Sequence, residues 1–416
     1  MVGISHQSSQ MDQTAAGWKC PPYRSNLPLV GYVLSELESL TWIRIPGIIT
    51  NSVLSGAFSV DRQSSERIDL LRFLLIVGVV FVHAHATGAD FQDSDVAAQD
   101  VGDVVFWVQN YISQVVARIS VPLFYLMSGY LFFYTFSGSA SEYFKKLKSR
   151  LRTLLIPLIF WNLFVLGVFI LLQAFPTTAN FFKGSKEEIL ASFTVFDYLN
   201  AIFGTKSVPI AYQFWFIRDL IVIVLLTPLI NLILKHLPYA FLTLLGLAWF
   251  FEIWRFHVPS AEALLFFSIG AFLAIKQYRF FAFDAYEKPV FLIYLGLSIA
   301  DVLTKESWFN DQLHRLGIVF GILSIVCLTK HILEQEQAKR ILLQLSPISF
   351  FIFAAHEPFL TGIQKVFYKV FNSTTDLAVM TIYFASPIIV IAVCIASFTL
   401  LNAALPRFTK LITGGR

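Results

Sequence analysis

Long apolar runs with few charged residues recur along most of this chain. Residues 153–175, reading TLLIPLIFWNLFVLGVFILLQAF, contain no charged side chain. A helix needs about 20 such residues to cross the apolar core of a bilayer, whereas barrel strands alternate polar and apolar residues over about ten. Over the whole chain 56% of residues are hydrophobic and 14% are charged, and soluble domains carry about 25% charged residues. We therefore predict an all-α, polytopic helical membrane protein.

Ten segments have the length and composition of transmembrane helices: 69–88, 115–136, 153–175, 214–234, 238–254, 261–277, 289–304, 315–333, 343–363 and 378–404. Loops rich in Lys and Arg lie in the cytoplasm under the positive-inside rule. The loop 89–103 has five aspartates and neither Lys nor Arg, whereas the next loop has the basic run YFKKLKSRLR over 143–152. The first loop is therefore predicted outside and the second inside, which puts both termini in the cytoplasm.

The second span has two interpretations, because the apolar stretch 104–136 is too long for one straight crossing and contains Pro122. Either an amphipathic helix precedes the crossing on the outer side, or one long kinked helix makes up both parts.

The N-terminal region differs from the rest in composition. Residues 1–24 are polar and lack the apolar core of a cleavable signal peptide. We expect 1–60 to be poorly ordered or interfacial, and 61–410 to form the membrane domain. Cys20, Cys327 and Cys394 are widely spaced, so we expect neither a disulfide framework nor a metal site.

Two ionisable residues lie on the first predicted span. Arg72 and His83 are eleven positions apart, which on an α-helix is three turns plus about 20° and about 16 Å along the axis. They therefore share one face, with Arg72 toward the cytoplasm and His83 in the outer half. Ionisable residues are costly in a bilayer and indicate a functional site. The alternative is an Arg that reaches the interface and a His that is hydrogen-bonded to neighbouring helices.

The ninth predicted span contains another histidine. Its sequence SFFIFAAHEPF puts His356 and Glu357 directly before Pro358. Because this span starts inside, His356 falls at a depth similar to that of His83, and we predict a cavity shared by the two histidines. Pro358 leaves a helix carbonyl without its usual donor, which a polar side chain or a cavity must satisfy.

Arg118 lies near the start of the second predicted span, and the pair Ser128-Gly129 follows in the same span. One interpretation is a packing notch, since small residues let membrane helices approach closely. The other is that Arg118 and Ser128 contribute donors to a polar cavity, where a substrate oxygen accepts them.

The fourth span begins with Trp215, a candidate interface anchor, and continues to Arg218 and Asp219. Adjacent residues on a helix do not face each other. Arg218 and Asp219 are therefore expected to find partners on other spans, in either a structural or a substrate-binding role.

The cytoplasmic basic run has two compatible interpretations. It sets the topology and contacts anionic lipid headgroups, or it joins Arg72 in docking a polyanionic cofactor. The candidate residues for that docking are Lys145, Lys148, Arg150 and Arg152.

These blocks together resemble the acyltransferase-3 family, bacterial membrane acyltransferases that modify cell-surface polysaccharides and include O-antigen acetylases and an exopolysaccharide succinyltransferase. The resemblance rests on Arg72-X10-His83, VPLFYLMSGY, RLRTLLIPLIFWN, WFIRDLI, FFSIGAFLA and ISFFIFAAHEPF, in this order over about residues 68–405. It implies a multi-pass protein of the bacterial inner membrane in which His83 and Arg72 are functional positions.

The residues and the resemblance together predict an O-acyltransferase. Acyl-CoA, as acetyl-CoA or succinyl-CoA, is the expected donor substrate, with no permanently bound cofactor. Its phosphates meet Arg72 and the basic run, and His83 takes the proton from an acceptor hydroxyl that attacks the thioester. Arg118, Ser128 or Arg218 stabilises the oxyanion, and a covalent acyl-His83 intermediate stays open as a variant. The expected partners are a lipid-linked or polymeric carbohydrate and the bilayer, and no nucleic acid.

Two other classes of protein stay open. A transporter or flippase of lipid-linked glycans uses the same polar stripe as a pathway and consumes no acyl-CoA; the absence of a visible internal repeat counts against it. A non-catalytic scaffold or sensor tolerates replacement of both His83 and Arg72.

Overall fold

The regular structure of the protein is helical. The computed structural model describes residues 62–85, 102–136, 138–175, 178, 190–371 and 375–415, and no strand occurs in these ranges. The predicted N-terminal region 1–60 lies outside them. The helices are, in chain order, α1 Arg62–Ala84, α2 Asp103–Tyr134, α3 Ala140–Gln173, α4 Val195–Phe203, α5 Trp215–His236, α6 Pro238–Phe250, α7 Ala261–Ile275, α8 Glu287–Leu303, α9 Asn310–Glu334, α10 Glu336–Leu345, α11 Ser349–Phe371, α12 Asp376–Ala404 and α13 Pro406–Ile412.

Among the described residues, six helical segments are long and apolar enough to cross a membrane: Asp103–Tyr134, Ala140–Gln173, Tyr212–His236, Asn310–Glu334, Glu336–Phe371 and Asp376–Ala404. The apolar helices α6 and α7 are shorter. The prediction of a multi-pass helical membrane protein is confirmed. A helix occupies each of the ten predicted spans, but the count of ten crossings stays a prediction.

Several helices begin at side-chain caps that the sequence provides. The hydroxyls of Ser139, Ser260 and Thr375 accept hydrogen bonds from backbone N–H groups in the first turns of α3, α7 and α12. Such caps satisfy N–H groups that have no partner inside the helix.

The second span is one long helix with an irregular middle. In α2 a π-helical turn, Asn110–Val116, and a 3-10 turn, Ala117–Ile119, precede the regular segment Ser120–Tyr134. The irregular turns lie directly before Pro122, whose ring would clash with the carbonyl four residues earlier in a regular helix. Of the two interpretations of this stretch, the single kinked helix is therefore correct.

Helices α2 and α7 cross at two glycines. A Cβ atom on Gly129 would lie 2.0 Å from the carbonyl oxygen of Phe267, and one on Gly270 would lie 2.0 Å from the carbonyl oxygen of Leu126. The two backbones are thus in direct contact, as small residues permit in membrane helices. The packing interpretation of the Ser128-Gly129 pair is confirmed for Gly129.

Arg67 fixes the N-terminal part of α1. Its guanidinium makes two hydrogen bonds to Asp284, at 2.5 and 2.8 Å, and others to Thr329 Oγ1 at 2.7 Å and the Val326 carbonyl at 2.8 Å. It also lies 3.7 Å from the centre of the Phe281 ring. These contacts tie α1 to α9 and to the 3-10 turn Ala282–Tyr286.

We expect Arg67→Met to lower the stability of the protein by about 3–5 kcal/mol, because removal of one member of a buried ion pair leaves the other without compensation. The measurement is thermal unfolding in detergent, with Arg62→Met as the matched control. The Arg62 side chain is 94% exposed and pairs with Glu66, and such surface pairs contribute about 0–1 kcal/mol. Equal melting temperatures for the two variants would show that the contacts of Arg67 do not stabilise the protein.

Candidate active site

The C-terminal end of α1 is held by two neighbouring helices. The α1 carbonyl of Phe81 accepts a hydrogen bond of 2.5 Å from Ser113 Oγ, and that of Ala84 accepts one of 2.9 Å from Gln364 Nε2. The last carbonyls of a helix have no partner inside it. The side chains of α2 and α11 supply the missing donors here, and they fix His83 in the last turn of α1.

Helix α11 is broken beside the site. Glu357 has the extended backbone angles φ −106° and ψ 140°, and Pro358 follows it. Gln213 Nε2 donates to the carbonyls of Ala354, at 3.1 Å, and of Glu357, at 3.3 Å. Ala354 precedes Pro358 by four residues, so the predicted carbonyl without a helical donor is present and a polar side chain satisfies it.

Tyr212 connects His83 with Glu357. Its hydroxyl lies 3.1 Å from His83 Nδ1 and donates a hydrogen bond of 3.2 Å to Glu357 Oε1, which also accepts one of 3.1 Å from Thr361. Glu357 is 2% exposed. The three side chains therefore form a chain of hydrogen bonds that ends on a buried carboxylate.

His356 lies beside His83. The centres of the two imidazole rings are 5.2 Å apart. His356 Nδ1 is 2.8 Å from the Phe353 carbonyl and 3.1 Å from the Ile352 carbonyl. Carbonyls only accept, so Nδ1 carries the hydrogen, and Nε2 is left as an acceptor in the neutral ring.

Three buried acceptor atoms in this cluster have no hydrogen-bond partner among the described residues: His356 Nε2, Glu357 Oε2 and Gln213 Oε1. Buried polar atoms are nearly always paired, and an exception calls for an explanation such as a ligand. The cluster suits a ligand that brings O–H or N–H donors.

The sequence that forms this site matches a family of known proteins. A model of the family described as an acyltransferase domain, of acyltransferase-3 type, matches residues 65–401. The chain belongs to the acyltransferase-3 family. The chain is also 27% identical over 373 residues to the succinoglycan biosynthesis protein ExoH of Rhizobium meliloti (strain 1021), covering 86% of this chain and 94% of that protein. No solved structure matches the chain.

In this acyltransferase, Arg118 and Ser128 are not brought together. Arg118 is exposed, and its Nε and Nη2 atoms donate to Gln114 Oε1 at 2.9 and 2.6 Å. Ser128 lies about 15 Å further along α2, beside the contact of Gly129 with α7.

Arg218 and Asp219 bind each other, and the expectation that they do not was wrong. Arg218 Nε and Nη2 donate to Asp219 Oδ1 at 3.1 and 3.0 Å, and Nη1 donates to the carbonyls of Gly204 and Ser207. The other Asp219 oxygen accepts from the backbone N–H of Ser260 at 2.9 Å. Both residues lie in the first turn of α5, where the long Arg side chain can curl back to its neighbour.

This pair therefore has a structural role, because its hydrogen bonds hold the loops after α4 and before α7 on α5. Trp215, the first residue of α5, is half-buried and packs at the edge of the core.

In the middle of α1, three turns before His83, Arg72 is near one residue of the basic run. Its side chain is 44% exposed and forms an ion pair of 2.6 Å with Asp69. Arg150, which is half-buried on α3, is close enough to Arg72 for the two positive charges to repel each other. Lys145, Lys148 and Arg152 are exposed on the same segment of α3.

Sequence reasoning missed Tyr212, Gln213 and Asp69. A tyrosine three residues before Trp215 is typical of the aromatic belt at a membrane interface. Nothing in its spacing indicates a contact with a histidine on another helix.

Proposed function

We propose that this acyltransferase moves an acyl group, acetyl or succinyl, from cytoplasmic acyl-CoA to a hydroxyl of a surface glycan such as an exopolysaccharide or O-antigen. It acts in the bacterial inner membrane, with ten spans and both termini in the cytoplasm. The observation that carries the proposal is the hydrogen-bonded chain His83–Tyr212–Glu357. The name of the relative, a succinoglycan biosynthesis protein, supports a polysaccharide acceptor.

The hydrogen bonds of Tyr212 determine which nitrogen of His83 can act as the general base. Tyr212 has one hydrogen and donates it to Glu357, so its oxygen is the acceptor for His83 Nδ1–H. His83 Nε2 is then unprotonated. It takes the proton of the acceptor hydroxyl, the alkoxide oxygen bonds to the thioester carbon, and the carbon–sulfur bond breaks. The proton passes from His83 to the leaving thiolate. General-base catalysis of this kind contributes about 10²–10⁴-fold.

The spacing of Arg72 and His83 on α1 matches the dimensions of the donor. Arg72 and His83 lie on one uninterrupted helix, about 16 Å apart along its axis. The CoA phosphates bind Arg72 and Arg150, since guanidinium groups pair with phosphate oxygens. The pantetheine arm then reaches along α1 and brings the thioester to His83.

The test compares the surface polysaccharide of a deletion strain complemented with wild type or with empty vector, by mass spectrometry and proton NMR. We expect the deletion to lose an ester that wild type restores, with the sugar backbone unchanged. Loss of the whole polymer would indicate a transporter or flippase instead. An unchanged ester pattern would overturn acyl transfer to this polymer.

A further prediction concerns Tyr212. We expect Tyr212→Phe to lower the rate of transfer about 10- to 100-fold, because a hydrogen bond to a charged group contributes about 1.5–3 kcal/mol. The measurement is the turnover number with saturating acyl-CoA. Tyr198→Phe is the matched control, since the Tyr198 hydroxyl donates to the Leu190 carbonyl in another part of the protein. Wild-type turnover in Tyr212→Phe would show that Tyr212 does not orient His83.

A further inference from the structure

The side chain of Arg118 has an uncharged hydrogen-bond partner. Among the described residues its side-chain hydrogen bonds go to the neutral amide of Gln114, and no carboxylate lies within ion-pair distance of it. Five other arginines do pair with an acidic residue: Arg62 with Glu66, Arg67 with Asp284, Arg72 with Asp69, Arg218 with Asp219 and Arg315 with Glu252. A cation in a membrane protein without an acidic partner is costly and calls for an anion.

The guanidinium of Arg118 stands at the depth of His83. Helices α1 and α2 run antiparallel, with Ser113 bonded to the carbonyl of Phe81. A Cβ on Gly78 would lie 2.4 Å from Ser120 Oγ, so the turn that carries Arg118 packs against Gly78. The Arg118 side chain is folded back by one helical turn to Gln114. That brings its charge toward the level of Phe81, about 3 Å along the α1 axis from His83.

The positive charge of Arg118 also interacts electrostatically with the imidazole of His83, which agrees with this position. The carboxyl group of Glu262, in the first turn of α7, interacts electrostatically with Arg118 and also with Arg315. The Arg118 side chain is exposed and can therefore be reached by a ligand.

We propose that Arg118 binds the free carboxylate of a dicarboxylic acyl group, such as succinyl, while His83 directs the acceptor hydroxyl to the thioester at the other end. The proposal rests on the proposed function, whose donor it specifies. In a four-carbon diacid the two carbonyl carbons are about 4 Å apart, so the proposed arrangement puts the thioester carbon that distance from the carboxylate held by Arg118. Guanidinium binds carboxylate through two parallel hydrogen bonds.

The chemistry balances without any further reactant. At one end of the acyl group the carbon–sulfur bond breaks and the carbon–oxygen ester bond forms, and CoA leaves as the thiol. At the other end the carboxylate stays ionised on Arg118 and does not react. An acetyl group has no atom that reaches Arg118, so Arg118 distinguishes the two donors.

The test uses the purified full-length protein with succinyl-CoA or acetyl-CoA and the producing strain's polysaccharide, stripped of its esters by mild alkali. For wild type we expect kcat/KM to be higher with succinyl-CoA. In Arg118→Gln we expect kcat/KM for succinyl-CoA to fall about 10- to 100-fold, the range of a charge-assisted hydrogen bond. Acetyl transfer by the same variant should be unchanged, which also shows that it is folded.

Two further variants serve as controls. Arg118→Lys keeps the charge and should restore part of the succinyl transfer, and Arg255→Gln, an exposed residue of the loop between α6 and α7, should behave as wild type. Equal loss of both transfers in Arg118→Gln, or a wild-type preference for acetyl-CoA, would overturn the role of Arg118 and leave the proposed function standing. Wild type that transfers neither acyl group would refute the proposed function itself.

Discussion

Replacement of His83 by alanine is expected to lower acyl transfer by about 10²- to 10⁴-fold, the contribution of a positioned general base. The protein should still insert and fold, because the His83 side chain is half-buried and its hydrogen bond is to the Tyr212 hydroxyl. The helix end itself is held through the backbone carbonyls of Phe81 and Ala84. Those hydrogen bonds survive the substitution.

The measurement is ester formation on the polysaccharide, together with the amount of protein in the membrane. His257→Ala is the matched control, since His257 is an exposed histidine of the loop before α7. Acylation retained by His83→Ala at the wild-type rate would remove His83 from the mechanism. Loss of the protein from the membrane would instead assign His83 a structural role.

A large effect on folding is expected at the crossing of α2 and α7. In Gly270→Ala the new methyl group would lie 2.0 Å from the carbonyl oxygen of Leu126. A backbone atom cannot turn away as a side chain does, so the helices must separate. Overpacking of this kind costs about 1–3 kcal/mol or more, and both helices contribute buried side chains to the main core of the bundle. Gly129→Ala meets the carbonyl oxygen of Phe267 at the same distance.

We expect both variants to give much less monodisperse protein in detergent, with a lower melting temperature. Gly246→Ala is the matched control: it makes the same change in α6, where a Cβ meets no atom within 4 Å. Variants at Gly270 and Gly129 that are as stable as wild type would mean that the two helices do not touch there.

The parts of the structure that follow from local sequence were predictable. Apolar length places the helices, and Pro358 with its preceding helix predicts a broken α11 next to His356. The proximity of His83 and His356 follows from the predicted orientation of their spans, because both histidines then fall in the outer half of the membrane.

The contacts between distant segments were not predictable in the same way. Tyr212 reaches His83 from a different helix, and Arg67 reaches Asp284 across more than two hundred residues. The periodic pattern of apolar residues along the sequence does not indicate which distant residues pair. The pairing of Arg218 with Asp219 was missed for another reason: the rule for side chains on a helix ignores the length of arginine and the freedom of a first helical turn.

The central claim is that an acyl group passes from CoA at the Arg72 end of α1 to a glycan at the His83 end. The direct measurement reconstitutes the purified protein in vesicles that enclose de-esterified polysaccharide fragments, with acyl-CoA carrying a carbon-14 label in its acyl group added outside. We expect label on the enclosed fragments and free CoA outside in equal amounts, with wild type and not with His83→Ala. Release of CoA without labelled glycan, or equal labelling by His83→Ala, would contradict the claim.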